Sequence, residues 1–446
     1  MKLSLKVLSI CLIFALMFSL LSACGAKQQS ATESSLAAKD SQDSDTGQAQ
    51  PDKKVTIRFA HCYGQQDPKF PLYEEFIKDF QAKNPDITVT VESSPGMDHA
   101  TKIKTDLAAN NTPDLFNYWS LGWLTPLINS NQVADLTDTI NSDPELKDRF
   151  LDGAYECGLF NGKMYGIPAE AFFCVLFVNS ELFTKYNLSY PKTYDELKNV
   201  ITVFKSNNII PFAEAGKGGD PAENTLSGFL YKVGGKNLND DVIKNGDFSA
   251  VIKGCTYFQE LVKLGAFPEG VNGMNGDEKM ALFNSEKAAM MYDGSWMIGA
   301  VKPEIASKID FLPLPNMPES KADPSGLTGG IGLSYLISAN AAKDELKKDA
   351  VIKLIKYLTS VEANKILLEK TANPPIVKLD LSTVNVSPLM AKALKVRFDA
   401  KEMAFQLHDA VPANVLDKFL LETQAQIDAL RTPESFADAI KEELKK

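Results

Sequence analysis

The sequence predicts an α/β protein built on an open parallel sheet covered by helices. Apolar residues alternate with polar ones in VTIRFA at 55–60 and again in ITVTV at 87–91, which is typical of strands. A helical pattern lies between these stretches, and a further helix and strand follow. Because neighbouring parallel strands need a helical crossover, this β-α-β-α-β order indicates parallel pairing.

An amphipathic helix is predicted after the first strand. The apolar residues of the first helix share one face and are Phe70, Tyr73, Phe76, Ile77 and Phe80. This helix must end before Pro85, since proline cannot continue it. The stretch 98–111 predicts a second helix and 113–119 a third strand. Ligands of such sheets bind beyond the carboxyl ends of the strands, so the loops HCYGQQ (61–66) and NYWSLGW (117–123) are candidate sites.

The amino-terminal sequence predicts a targeting segment followed by a tether. Residues 1–23 combine early lysines, an apolar run and small residues, which is the pattern of a signal peptide. The run that ends at Cys24 resembles a bacterial lipobox, which implies cleavage before Cys24 and a lipid anchor on its thiol. An ordinary secretory signal is the alternative. Residues 24–54 contain almost no large apolar side chain and predict a flexible tether.

Composition excludes several classes of function. After the tether, roughly 390 residues remain, which favours two domains over one core. The formal charge is −10, so a basic surface for nucleic acid is not expected. Neither the four cysteines that follow the tether nor the three histidines have metal-ligand spacing, and we expect no metal and no cofactor. The cysteines are expected to be buried free thiols, with one disulfide as the alternative.

Four ordered stretches resemble one known family. They are 99–119, which runs to PDLFNYW, 161–200, which contains GKMYGIP and the apolar strand VLFVNSELF, 282–296, LFNSEKAAMMYDGSW, and 329–341, GGIGLSYLISANA. They resemble the family 1, maltose-binding-protein-like extracellular solute-binding proteins of bacterial ABC sugar importers. Glu286 and Val178 depart from the family pattern, which usually has glycine and tyrosine there.

The resemblance implies a periplasmic-binding-protein type II-like fold, in which two α/β lobes are joined by crossover hinge strands with a ligand cleft between them. The amino-terminal lobe is predicted to comprise 55–173 plus 330–370. The carboxy-terminal lobe is predicted to comprise 174–329 plus 371–446. Strands of this kind would allow the lobes to close on a ligand.

Sugar sites combine aromatic platforms with polar groups, and the resemblance implies that Trp296 is such a platform, flanked by Asp293. The Gly-Ser pair before it predicts a tight exposed turn with the indole at its tip, and packing in the lobe core is the alternative. Of Tyr118 and Trp119, one ring is expected to face the cleft and the other the core. The remaining candidate ligand-binding residues are His61, Tyr63, Gln65, Glu170, Gly330 and Asp409.

The sequence thus predicts a lipid-anchored extracellular protein that captures a carbohydrate, such as an oligosaccharide, and delivers it to the permease subunits of an ABC importer. It would perform no chemistry, and its other contact would be the membrane, through the anchor. Scarce arginine disfavours anionic solutes. A polyamine or other small-solute binder of the same fold, a sensor, and a secreted carbohydrate-active enzyme are the alternatives, although no G-x-S-x-G, H-E-x-x-H or P-loop motif is present.

Overall fold

A mixed nine-stranded sheet forms the centre of the computed structural model, which describes residues 54–446. The predicted signal peptide, Cys24 and nearly all of the tether lie outside the described residues. The strands are β1 (Val55–His61), β2 (Ile87–Ser93), β3 (Leu115–Trp119), β4 (Leu159–Phe160), β5 (Lys163–Met164), β6 (Ile167–Asn179), β7 (Ile210–Phe212), β8 (Ala288–Gly294), β9 (Ile309–Leu312), β10 (Leu327–Ile337) and β11 (Met403–Ala404). The main path runs β2-β1-β3-β10-β6-β8-β7, and β4 pairs separately with β5.

Helices follow most strands. The α-helices are α1 (Lys69–Lys83), α2 (Gly96–Ala108), α3 (Thr125–Asn129), α4 (Thr137–Asn141), α5 (Pro144–Asp148), α6 (Ser180–Lys185), α7 (Tyr194–Ser206), α8 (Ala222–Gly234), α9 (Leu238–Ile243), α10 (Ser249–Leu264), α11 (Gly276–Asn284), α12 (Pro303–Ala306), α13 (Ala339–Lys343), α14 (Glu345–Leu358), α15 (Val361–Thr371), α16 (Pro388–Asp399), α17 (Leu407–Ala410), α18 (Ala413–Ile427) and α19 (Pro433–Glu443). Short 3-10 helices span Leu121–Leu124, Ala154–Gly158, Lys217–Gly219, Gly235–Asn237, Val271–Gly273, Ser295–Ala300 and Leu381–Thr383.

The predicted β-α-β-α-β order is confirmed at the start of the domain. Strand β1 pairs in parallel with both β2 and β3, and α1 ends at Lys83, before Pro85. The sheet as a whole is mixed, however, because β10 pairs antiparallel with both β3 and β6. This strand arrives from a distant part of the chain rather than through a crossover helix, so nothing forces it to run parallel.

Strand β6 is the longest strand and changes partners along its length. Residues 167–173 pair with β10, whereas residues from Cys174 onward pair with β8 and β9. Twelve of its thirteen residues are buried, which agrees with the near-continuous apolar run in the sequence. A strand that is covered on both faces needs no polar alternation.

The apolar core lies on both faces of this sheet. One cluster joins Ile57 and Phe59 of β1 to Leu354 of α14. A larger cluster extends from Phe116 of β3 through Leu176 of β6 to the helices α8, α10, α18 and α19. The described residues form one compact unit.

The cysteines in the described part are free thiols, and three of the four are buried while Cys62 is half-buried. The predicted burial therefore holds for Cys157, Cys174 and Cys255 but not for Cys62. No helix within residues 54–446 is long and apolar enough to cross a membrane.

Candidate functional site

The three polar residues predicted at the end of β1 and in the loop after it differ in their exposure. His61 and Tyr63 are buried, whereas Gln65 is exposed. The Tyr63 backbone N–H donates to His61 Nδ1 at 3.3 Å, and His61 Nε2 has no hydrogen-bond partner among the described residues. Burial, with a smaller effect from nearby His99, lowers the pKa of His61 to about 4. The ring is therefore neutral at pH 7.

Glu170, the acid predicted just before the apolar strand, belongs to a buried polar network. Lys69 Nζ lies 2.7 Å from one carboxylate oxygen, and the Tyr63 hydroxyl donates to the other at 2.8 Å. Hydroxyl contacts continue from Tyr63 to Tyr73 (3.4 Å) and from Tyr73 to Tyr335 (2.9 Å). Burial opposes the charge of Lys69, but the carboxylates of Glu170 and Asp67 outweigh it and raise its pKa. The network ties α1 to β6 and β10.

The aromatic residues at the end of β3 face in different directions. Tyr118 is fully buried and its hydroxyl has no partner within the described residues, while Trp119 is half-buried. The Trp119 ring stacks on Trp123, with centroids 5.2 Å apart and an interplanar angle of 27°. Trp119 is therefore the ring of the predicted pair that reaches solvent.

Asp293 lies inside the protein, in a cluster of three charges. Lys279 Nζ lies 2.8 Å from Glu214 Oε1 and 2.9 Å from Asp293 Oδ2, and all three side chains are fully buried. The Asp293 contact is an ion pair without good hydrogen-bond geometry. Lys279 also donates to the Tyr292 carbonyl at 2.9 Å. Asp293 Oδ1 accepts the Gly294 N–H at 2.7 Å, so this acid fixes the end of β8.

The prediction that the Gly-Ser pair before Trp296 forms an exposed turn is wrong. Gly294 and Ser295 are both buried, because all of β8 is buried and Ser295 begins a 3-10 helix. Trp296 itself is half-buried and lies against Phe172, with ring centroids 5.6 Å apart. A Cβ atom on Gly294 would come within 2.2 Å of the indole. Glycine is therefore needed for the indole to cover the strand end.

Gly330 serves close packing in β10. A Cβ atom on Gly330 would lie 2.3 Å from the Phe405 ring, and one on Gly329 would lie 2.4 Å from the Phe172 carbonyl oxygen. The two glycines thus let β10 pass close to Phe172 of β6 and to the Phe405 ring, which is a common use of glycine within strands. A ligand contact at Gly330 stays a prediction.

The short helix α17 brings Asp409 next to the aromatic residues after β3. Ser227 Oγ lies 2.9 Å from His408 Nδ1, and His408 Nε2 lies 3.5 Å from Asp409 Oδ1. Burial lowers the pKa of His408. Burial raises the pKa of Asp409, against smaller opposite effects of His408 and the Trp123 indole. Asp409 Oδ2 has no hydrogen-bond partner in the described part of the chain.

Sequence reasoning missed two acids at the start of α8. Glu223 is only 6% exposed, and its Oε2 has no hydrogen-bond partner within residues 54–446, while Oε1 accepts from Asn224 at 2.8 Å. Burial and the nearby Asp220 carboxyl raise the pKa of Glu223. Burial also raises the pKa of Asp220, although this residue remains exposed.

Asp220 and Glu223 lie near enough to shift each other's pKa. Asp220 is near enough to both Asp293 and His408 for their charges to shift its pKa. The only sequence signal was the pair of acids that flank Pro221 in GGDPAEN, which lies outside the stretches that resemble a family. The stacked Trp119 and Trp123 thus lie next to Asp409, through the Trp123 indole.

This arrangement offers ring faces and acceptor groups rather than a metal centre. Within residues 54–446, no group of three or more His, Cys, Asp and Glu side chains is placed to hold a metal ion. Half-buried tryptophans next to unpaired acceptors are the elements of a binding site for a small polar molecule. Whether the individual predicted residues contact a ligand stays a prediction.

Comparison with known proteins gives a family match. A family described as bacterial extracellular solute-binding protein matches residues 64–365, about two thirds of the chain. The multiple sugar-binding protein of Streptococcus mutans is 25% identical over 339 residues, which cover 73% of this chain and 76% of that protein.

Solved structures share the fold. A structure from work on xylan utilisation by the thermophilic bacterium Caldanaerobius polysaccharolyticus superimposes with a TM-score of 0.79 at 27% identity, covering 87% of this chain and 99% of the other. A chitin oligosaccharide binding protein superimposes with a TM-score of 0.80 at 22% identity, covering 88% and 98%. At 22% identity, the match to the chitin oligosaccharide binding protein shows a shared fold alone.

Proposed function

The chain belongs to the bacterial extracellular solute-binding proteins, and we propose that it captures a carbohydrate and delivers it to an ABC importer. The observation that carries this proposal is the family match over residues 64–365. The names of the similar proteins, which bind multiple sugars or chitin oligosaccharide, favour a saccharide. A polyamine or another small solute, bound by the same fold, remains the alternative ligand.

The proposed mechanism is capture between two lobes followed by closure. The change of partners in β6 between Phe173 and Cys174 supports the lobe boundary that we propose at this point, with lobes of 55–173 plus 330–370 and of 174–329 plus 371–446. Strands β6 and β10 are paired to each other where they would cross between the lobes. A few residues at such crossings can absorb the rotation of one lobe against the other.

Affinity would come from stacking and hydrogen bonding. Sugar rings present C–H faces to aromatic rings, and Trp119 and Trp296 are half-buried, so each keeps accessible surface for a ligand. Gln65, which is exposed in the loop after β1, would supply donors and acceptors for the hydroxyl groups of the ligand. Because the backbone that holds these groups is already formed, little ordering entropy is lost on binding.

Delivery requires the protein to stay near the membrane. We propose that a lipid on Cys24 anchors it to the outer face of the cytoplasmic membrane and that the closed form docks on permease subunits. We also propose that it is not an enzyme. Glu170 and Asp293, two of the predicted site acids, are each ion-paired to a buried lysine, which leaves them poorly suited to proton transfer.

A thermal-shift screen of the full chain against mono- and oligosaccharides, polyamines and amino acids tests the proposal. A ligand at a hundredfold excess over its Kd stabilises the native state by about 2.7 kcal/mol, which raises Tm. The shift should shrink in Trp296→Ala and persist in the matched control Phe398→Ala, which removes an exposed ring. Saccharide cleavage in the same wells would show an enzyme and overturn the transport proposal. A Tm shift with amines alone would overturn the proposal that the ligand is a carbohydrate.

A further inference from the structure

We propose that Gly122 sets how closely the two lobes approach each other, and that its contact with the end of α17 holds them in the closed arrangement. This inference rests on the proposed function, because it identifies a place where the two proposed lobes meet. We name the segments 121–124 and 409–411 the closure contact. Gly122 is a positioning residue in this proposal, since it acts on a ligand only through the closing of the cleft.

The closure contact joins elements of the two proposed lobes. The 3-10 helix Leu121–Leu124 packs on β3, α3 and the 3-10 helix Ala154–Gly158, which all belong to the amino-terminal lobe. Helix α17 packs on α8, α9 and α18, which all belong to the carboxy-terminal lobe, and it also contacts the 3-10 helix at 121–124. Lys104 Nζ of α2 lies 4.0 Å from Asp417 Oδ1 of α18, so a second contact connects the same two lobes.

The backbones of the two segments lie unusually close together at Gly122. A Cβ atom on Gly122 would lie 1.8 Å from the Val411 carbonyl oxygen, 2.6 Å from the Val411 carbonyl carbon and 3.3 Å from the Asp409 carbonyl oxygen. Non-bonded carbon atoms are in optimal contact at about 3.5–4.0 Å, so the first two distances are far inside contact. A backbone carbonyl cannot turn aside as the end of a flexible side chain can. The approach therefore requires a residue without a side chain.

The local conformation of the 3-10 helix does not itself require glycine at this position. The φ angle of Gly122 lies outside the left-handed region, so alanine can adopt the same backbone conformation. The neighbouring Leu121 has a φ of 57°, which a residue with a large side chain adopts only when the surrounding structure imposes it. The need for glycine at 122 thus comes from the opposite lobe, and the packing around the 3-10 helix keeps Leu121 strained.

The closure contact also removes apolar side chains from water. Trp123 and Leu124 on one side and Leu407 and Val411 on the other are at most 5% exposed and belong to one apolar cluster. Parting the lobes at this contact would return part of this surface to water, which is unfavourable. The contact therefore favours the closed arrangement, and it depends on the close approach that Gly122 permits.

The test measures closing without any ligand. In the full chain, Lys104→Cys and Asp417→Cys replace two exposed residues and place one thiol on each lobe, where a short bismaleimide joins them while the lobes are closed. The rate of cross-linking then follows the closed fraction. Mass spectrometry counts only chains joined between 104 and 417. Gly122→Ala in this background should lower the rate at least about tenfold, because its methyl group overpacks the closed arrangement alone.

Gly273→Ala is the matched control for this substitution. Gly273 also lies in a 3-10 helix, its φ angle is outside the left-handed region, and a Cβ atom there would meet no atom within 4 Å. This variant should leave the cross-linking rate unchanged. Thermal scans by circular dichroism should show that both variants remain folded, which separates an effect on closing from a loss of structure.

An unchanged cross-linking rate in folded Gly122→Ala, or a loss that Gly273→Ala shares, overturns the inference. If Gly122→Ala folds poorly, hydrogen exchange of the unmodified chain replaces it. The amides of the two segments of the closure contact should then exchange at one common rate and ahead of those of β3, because they share one opening. Exchange of both segments only through global unfolding overturns the inference as well. Since no ligand enters these measurements, the carbohydrate proposal stands or falls separately in the thermal-shift screen.

Discussion

Lys279→Met should be among the most destabilising single substitutions in this protein. The lysine is fully buried, and its ammonium group contacts two fully buried carboxylates at 2.8 and 2.9 Å and a carbonyl oxygen at 2.9 Å. Methionine has a similar volume, so the effect of removing the charge dominates over the effect of a cavity. Breaking a buried ion pair from one side costs about 3–5 kcal/mol, because the carboxylates of Glu214 and Asp293 are left without a cation.

Urea unfolding at pH 7, followed by circular dichroism, measures this loss as a lower midpoint at unchanged slope. The control Lys263→Met removes an exposed lysine from α10 and should change the free energy of unfolding by less than about 0.5 kcal/mol. The pH dependence identifies the cause. Carboxyls left without Lys279 have pKa values above their unfolded ones, so the variant should regain stability as pH falls from 7 toward 5.5.

The reasoning would be refuted by a loss below about 1 kcal/mol, or by a large loss that does not shrink on acidification. The double variant Lys279→Met with Asp293→Asn gives a further check. Removing the uncompensated charge should restore part of the stability, so the two substitutions should couple by about 0.5–3 kcal/mol.

Two other predictions concern the aromatic platform and pH. Gly294→Ala places a methyl group within 2.2 Å of the Trp296 indole, so it should displace the ring and weaken ligand binding, as titration would show; an unchanged Kd would mean that Trp296 is no platform. The free energy of unfolding should fall by about 1 kcal/mol between pH 7 and 5.5 through His61 alone, because its folded pKa of about 4 lies below the unfolded value of 6.5. The variant His61→Asn, whose side-chain oxygen can still accept the Tyr63 N–H, should lack this contribution, and equal pH slopes in the two proteins would contradict the assignment.

The regular elements could be predicted because their signals are local. Alternation at 55–60 and 87–91 and the helix that ends before Pro85 depend on periods of two and 3.6 residues, which neighbouring residues reveal. The antiparallel entry of β10 beside β3 could not be predicted in this way. It depends on pairing between residues more than 200 positions apart, such as Leu333 with Trp119.

The site was harder to predict, since the sequence shows which residues are polar but not what they contact. The Gly-Ser pair before Trp296 carries the composition of an exposed turn, yet the Lys279 ion pair holds the preceding Asp293 inside the protein. Lys279 itself lies outside the stretches that resemble the family. Only the fold shows that an isolated lysine on α11 lies between Asp293 of β8 and Glu214 in the loop after β7.

The acids around the candidate site therefore fall into two groups with different roles. Lys69 forms an ion pair with Glu170, and Lys279 lies between Glu214 and Asp293, so these carboxylates tie α1 to β6 and α11 to β8. Glu223 forms no ion pair among the described residues, and burial together with the nearby Asp220 carboxyl raises its pKa. A buried acid without a cation lowers its cost by binding a proton, which is the direction of this shift. The acids around the site are thus accommodated in two ways, three by pairing with a buried lysine and Glu223 by favouring its uncharged form.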